Sequence, residues 1–361
     1  MEGLGSPSLQ HLLCSNAVHL AQSKGLHRQP DKSWASSPDA NLKRSWLWWL
    51  VYILEKHLSL SSGRPSAIED DAISVRLPTV APHGSTLELE SFRIAVRHAR
   101  ICSQISRQLT TVKVNQMSSK ELINTVTYFH GQLKQLLEEM PAHLKIGTLA
   151  RPSQEDHSST RLTHILYLHF SIYGSLMAIH AHFFYPWMSS RFVAEGQNAV
   201  AEAQIASSSS TVAEAARKIL LAVRLVTTNV STPTSVAFYY PIYAHINLFV
   251  YILKYPTLST TKADLGLLDV CAGHFGYIEF LTSSGISISA PRELANLASK
   301  VVKATKVKKT ENVLMRTTSR HEVQSNTSQT ETLHDDNMNF WHLDRNSAGL
   351  NEVKNQALLF L

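Results

Sequence analysis

Lys43-Arg44-Ser45-Trp46-Leu47-Trp48-Trp49-Leu50-Val51-Tyr52-Ile53-Leu54-Glu55-Lys56 is the stretch on which the fold turns. Trp46, Trp49, Leu50, Ile53, Leu54 and His57 recur at the three-and-four spacing that gathers side chains on one face of an α-helix. Trp48, Val51 and Tyr52 carry the apolar surface nearly all the way round. Three tryptophans left in water would expose a large apolar area, so the helix, from about Leu42 to Leu60, is expected in the middle of a bundle. Gly63 then permits a backbone turn that a side chain would disfavour, and Pro65 fixes the exit from it.

Outward from this helix the pattern stays helical. Leu9, Leu12, Leu13, Ala17, Leu20 and Ala21 predict an amphipathic helix that ends before Gly25. Downstream, helical spacing covers Leu87–Leu109, Ser119–Glu139, Arg161–Phe184, Thr211–Asn229, Val236–Leu253 and Leu265–Leu281. Pro141, Pro152, Pro186, Pro233 and Pro256 fall where these helices must end. The polar run from Gly196 to Ser210, with four consecutive serines, is expected to be a loop. Strand signals are nearly absent, which predicts an all-α, multi-helix bundle over 1–305. Residues 306–361 turn to Ser, Thr, Asn and Gln with little apolar periodicity and are expected to form a disordered polar tail.

Composition narrows the function classes. Apolar residues make up 44% of the 361 and charged residues 17%, enough to bury a large core and too little charge for a disordered chain. The net charge of +6 is spread thinly, without the basic stripe and interleaved aromatics that grip nucleic acid. Its densest cluster is Lys300, Lys303, Lys306, Lys308 and Lys309, read as a solvated helix end, with a nuclear-import or phosphate-contacting patch as the rival reading. The three cysteines, Cys14, Cys102 and Cys271, are too few and too scattered for a disulfide framework or a thiolate zinc site. The most apolar window, Leu162–Met188, is interrupted by His164, His169, His180 and His182. A bilayer would tolerate those poorly, so it reads as a buried helix and no membrane partner is expected.

No catalytic constellation emerges. His180 and His182 lie two apart, on different helix faces, and no His-Glu-x-x-His occurs. There is no nucleophile elbow, phosphate-cradling loop or dinucleotide fingerprint. Glu138 and Glu139 are adjacent in sequence, which does not set two carboxylates facing each other. No catalytic residue, metal ligand or cofactor site is assigned within the chain, and an enzyme is not expected.

Read together with Leu58-Ser59-Leu60-Ser61-Ser62-Gly63-Arg64-Pro65-Ser66-Ala67-Ile68, the tryptophan helix resembles the signature of the fungal-specific transcription factor domain. That family has a basic residue before a Trp-Trp pair, an apolar helix, and a Gly-Arg-Pro turn leading to an acidic stretch and a Leu-Pro. Glu69, Asp70, Asp71 and Leu77-Pro78 match the last two. Just upstream, Ala17 to Ala21 with Gly25-Leu26-His27-Arg28 resembles the family's preceding segment, and looser matches extend the resemblance over roughly residues 10–300. Trp46, Trp48, Trp49, Gly63, Arg64 and Pro65 are read as structural: tryptophans for buried area, and Arg64 to bond helix carboxyl ends or Glu69 to Asp71, locking two helices together.

The resemblance implies the regulatory region of a nuclear transcription regulator. The family's binuclear zinc cluster, its linker and its coiled coil find no counterpart in this sequence. Zinc and DNA contact are therefore expected only through an amino-terminal domain outside it, with co-regulators or full-length homologues as partners. The chain is then either part of a longer regulator or a truncated interaction protein that modulates full-length regulators without binding DNA. The resemblance also implies response to a small molecule held between helices. Phe183, Tyr185, Trp187, Phe238, Tyr239, Tyr240 and Tyr243, aromatics near helix ends, are the candidate pocket lining.

Overall fold

Ser37, in extended backbone, accepts a hydrogen bond from the amide of Ala40, and Pro38 and Asp39 follow it in the first turn; this is where the tryptophan helix begins. The computed structural model describes residues 7–31, 37–146, 156–194, 198–229 and 232–322. Among them are ten α-helices and no strand: α1 Pro7–Ser23, α2 Pro38–Ser62, α3 Leu89–Leu109, α4 Ser119–Glu138, α5 Asp156–Phe184, α6 Pro186–Ala194, α7 Asn198–Ala222, α8 Tyr240–Lys254, α9 Thr261–Leu281 and α10 Ala290–Glu322. A π-helical turn, Ser235–Tyr239, leads into α8.

α2 ends on Gly63, whose φ of 64° is left-handed, while Arg64 N–H bonds the carbonyl of Ser59 at 3.2 Å. α1 runs antiparallel to α2, since Arg44 reaches the carbonyls of Lys24 and Gly25, beyond the end of α1. α2 packs between α1 and α3, and the three share a core with the strap that follows α2, around Val18, Trp46, Trp48, Trp49, Ile68, Val75, Phe92 and Val96. This is a smaller core than the one built by α4, α5, α7, α8 and α9. The expectation that α2 lies in the middle of the bundle is thereby corrected. Leu47 and Leu54 are each 52% exposed on its outer side, and only its last turns meet the larger core. An apolar face wider than one partner requires is tolerated when a few leucines remain at the surface.

The serine run is the second correction. Asn198–Ser210 forms the first half of α7, and Ser208 and Ser209 are fully buried. Serine competes with helix when its hydroxyl bonds the local backbone in other conformations. Here the Ser209 hydroxyl donates back to Ile205 at 2.7 Å and accepts from the half-buried ammonium of Lys254 at 2.9 Å, while Ser208 bonds the His180 ring on α5. Their small side chains let α7 lie close along α5 and α8. At its far end α7 stops at Ala222 in a short 3₁₀ turn, before the expected Asn229.

Two segments, Thr160–Phe184 and Ser235–Lys254, are long and apolar enough to cross a membrane, and most of each is buried inside the protein. α10 runs through to Glu322, past the expected boundary at 306, with Lys300, Lys303 and Lys306 exposed along it. The rest of the predicted tail, 323–361, lies outside the described residues.

Candidate functional site

The Gly-Arg-Pro turn is held down by two charged side chains that the helical wheel leaves unmarked. Glu55 and Lys56 are 4% and 1% exposed. Glu55 accepts from Ser59, Ser66 and the amide of Ala67, at 2.9, 3.0 and 2.7 Å. Lys56 donates to Ser66 at 2.7 Å and to the carbonyl of Ile68 at 2.6 Å, and pairs with Asp70 at 3.1 Å. Asp70 also accepts from Tyr52 and from Ser103 on α3, at 3.1 and 2.6 Å. Burial would raise the Asp70 carboxyl, but the Ser103 hydroxyl and the Lys56 ammonium more than offset this and hold it below the usual carboxylate range. The locking role expected of Arg64 thus belongs to Lys56 and to Arg107, which pairs with Glu69 at 3.3 Å. Among the described residues no ion pair joins Arg64 to Glu69–Asp71. Its long side chain leaves α2 after the chain has turned, whereas Lys56 sits one helical turn before Leu60, facing the strap.

The three signature tryptophans are packed as structural anchors. Trp46 stacks on Phe92 at 3.9 Å between ring centres, and Trp48 lies beside His27. Trp49 donates its indole N–H to the carbonyl of Arg76 at 3.2 Å, with the Arg100 guanidinium over its ring at 5.1 Å. Gly63 is the αL cap, and Pro65 stands exposed beyond it.

Where α2 ends, a cavity of about 250 Å³ opens between it, the end of α3, the middle of α5, α6 and the start of α8. Tyr185, Tyr239, Tyr240 and Tyr243 of the predicted lining are brought together there. The other three point elsewhere. Phe183 packs on Phe192 at 4.8 Å, Trp187 stacks behind Tyr185 at 4.8 Å, and Phe238 faces Phe275 at 6.2 Å. Consecutive side chains on a helix point about 100° apart, so a run such as Phe238-Tyr239-Tyr240 sends at least one member away from the cavity.

Small residues create the void. Gly174, Ala178 and Ala181 recur at four and three along α5, a stripe legible in the sequence but unremarkable without knowing what faces it. A Cβ at Gly174 would come within 2.6 Å of the Tyr240 ring, so the ring occupies the space of a missing side chain. Tyr240 in turn hydrogen-bonds His57 of α2, across 183 residues of chain. Burial pushes the His57 imidazole down to about 4 and the Tyr240 phenol well above its ordinary value, so both are neutral at physiological pH. Behind this pair His98 of α3 bonds Ser175 of α5 at 2.9 Å, with Cys102 at 3.4 Å from the same imidazole. Burial takes His98 to about 3 and the Cys102 thiol to about 12, which leaves the thiol protonated and unreactive.

Two other groupings of titratable side chains lie away from the cavity. His180 bridges His130 on α4 and Ser208 on α7, both at 2.9 Å. Glu88, Glu90 and His143 bring ligand atoms within 4.8 Å of one another at the surface, with Arg161 also paired to Glu88.

Against known proteins, residues 2–182 match the model of the fungal specific transcription factor domain. An ABC-transporter-regulating transcription factor of Aspergillus oryzae is 28% identical over 286 residues, covering 75% of this chain and 31% of that protein. Its namesake in Aspergillus fumigatus is 27% identical over the same coverage. An uncharacterized transcriptional regulatory protein of Schizosaccharomyces pombe is 30% identical over 152 residues, 40% of this chain and 23% of its own length. The chain therefore spans about a third of the length of the first two relatives. No solved structure matches it.

Proposed function

This chain belongs to the fungal specific transcription factor domain family, and from that premise we propose that it is the effector-responsive body of a nuclear transcription regulator. In this reading DNA is bound by a zinc-cluster domain outside the chain, where zinc is the only cofactor, and co-regulators or full-length homologues dock on the helical body. No chemistry is asked of it.

The observation that supports the reading is the placing of the cavity. His57 and Gly63, at the end of the signature helix, and Gly174 to Ala181 on α5 lie within the family-matched part, while Tyr239 to Tyr243 lie beyond it. An occupant would touch both parts at once. A ligand shifts a conformational equilibrium only by its differential affinity for the two states. A molecule that contacts α2 and α8 together favours the packing in which the two are correctly spaced. The π-helical turn just before Tyr240 is the element able to take up the adjustment, since such turns are irregular and convert to α-helix by a shift of one residue.

The test is a reporter assay in a fungal host, with the chain in its natural full-length context. Ala178→Leu, which fills the cavity, is expected to hold transcript output at one level whatever the growth condition, while the wild-type protein responds. A variant that responds as fully as wild type refutes the reading. Nuclear residence is checked by imaging a fluorescent fusion.

A further inference from the structure

We propose that the cavity between α2, α5 and α8 takes a small, neutral, largely aromatic molecule whose one polar group is a hydroxyl, and that it rejects ions of the same size. This rests on the reading of the cavity as an effector site and adds the chemical class of its occupant.

The wall offers no counter-charge. None of the residues around the cavity is Asp, Glu, Lys or Arg, and its two imidazoles belong to His57 and His182. His57 is committed to Tyr240, and the His182 ring nitrogen meets the carbonyl of Leu109 at 3.3 Å. A carboxylate or ammonium entering here would give up its hydration shell and find no opposite charge in return.

The serine and threonine hydroxyls that face the cavity, and that of Tyr185, are already used as donors, Ser61 to the carbonyl of Leu58 at 3.2 Å. The Ser171 and Ser175 hydroxyls donate to the carbonyls of Leu168 and Ser171, at 2.9 and 3.0 Å. Thr110 donates to Ser106 at 2.7 Å, and Tyr185 to the Asn247 side chain at 3.0 Å. What these hydroxyls leave open is oxygen lone pairs, one of them on Ser175 already taken by His98, so the wall mainly accepts hydrogen bonds and the phenols of Tyr239 and Tyr243 are what it has to give. A ligand hydroxyl satisfies that wall; a ligand rich in carbonyls does not. Much of the remaining surface is apolar: Tyr239 and Tyr243 lie nearly parallel, 5.9 Å apart with 16° between planes, and Leu60, Ile105 and Met188 complete the wall. At about 250 Å³ the volume lies just below the range of about 300–1,000 Å³ usual for drug-sized ligands, which suits a two-ring aromatic.

The experiment uses 2-naphthol and its anionic counterpart 2-naphthoate as probes, titrated into the purified chain by calorimetry at neutral pH. One-site binding of 2-naphthol is expected, with 2-naphthoate weaker by at least about tenfold for want of a counter-charge. Ala178→Leu on α5 and Leu60→Phe on α2 fill the void from two sides, and each is expected to abolish 2-naphthol binding while keeping the helical circular dichroism. If one of them fails to fold, the other carries the comparison. The proposal is overturned if 2-naphthol does not bind, if 2-naphthoate binds as tightly, or if binding survives in a folded cavity-filling variant. Should the probes behave as expected while the reporter ignores the cavity, the ligand class stands and the regulatory reading falls. Should the reporter respond while the anion binds better, the reverse holds.

Discussion

Replacing Lys56 by Met keeps the volume of the side chain and removes only its charge and its donors. The Lys56 ammonium is 1% exposed and bonds the Ser66 hydroxyl, the Ile68 carbonyl and the Asp70 carboxylate, all within 3.1 Å. Breaking a buried ion pair from one side costs about 3–5 kcal/mol, because the other charge is left behind. Asp70 is 27% exposed and keeps Tyr52, Ser103 and Arg107, so water and these partners recover part of the loss. The Ile68 carbonyl keeps only its short contact with the Ser66 hydroxyl, at 3.1 Å. Lys56→Met is therefore expected to destabilise by about 3 kcal/mol, at the lower end of that range. Urea unfolding followed by circular dichroism measures it. Asp70→Asn in the same background tests the origin of the loss: the pair is expected to couple by about 1–2 kcal/mol in a double-mutant cycle. A Lys56→Met variant within about 0.5 kcal/mol of wild type would sink the claim that this pair anchors the signature turn, since surface substitutions are commonly that mild.

The two glycines of the site should separate by mechanism. Nothing lies within 4 Å of a Cβ at Gly63, so Gly63→Ala costs only the strain of φ 64°, about 1 kcal/mol, and Gly63→Asn less. Gly174→Ala must displace the buried Tyr240 ring and is expected to cost about 1–3 kcal/mol, with 2-naphthol affinity lost alongside; equal effects of the two alanines on affinity would contradict the assignment. Acid should unfold the protein through its buried histidines. His57, His98 and His180 have folded-state values lowered by burial to about 4, 3 and 3, so below their ordinary 6.5 the unfolded chain binds more protons than the folded one. Stability is then full above pH 6.5 and falls as pH drops towards 4, each histidine adding a slope of up to about 1.4 kcal/mol per pH unit. A denaturation midpoint flat from pH 7 to 4.5 would refute this. Trp46→Ala removes the ring stacked on Phe92 and is expected to cost about 3–5 kcal/mol by thermal or urea unfolding.

Much of the helical text could be read from the chain alone. The stop of α2 at Gly63 and the breaks at Pro141, Pro186 and Pro256 follow from a glycine cap and from the missing amide of proline, which act within a few residues of sequence, whereas α2 starts at Pro38, ahead of the expected Leu42, on the Ser37 cap. The tryptophan helix with its Gly-Arg-Pro turn carried the family for the same reason: its signature is contiguous. Tertiary structure alone decided the rest. The serine run is helical because the interior satisfies the hydroxyls of its two buried members, Ser208 through His180 and Ser209 through Lys254, on other helices. Lys56, and not Arg64, locks the turn because only its side chain faces the strap that folds back as Ile68–Asp70. The cavity brings His57 to Tyr240 across 183 residues, and its space comes from Gly174, Ala178 and Ala181, whose spacing has no meaning until another helix lies across it. Local propensity acts through neighbours in the chain, whereas burial and hydrogen-bond partners belong to neighbours in space.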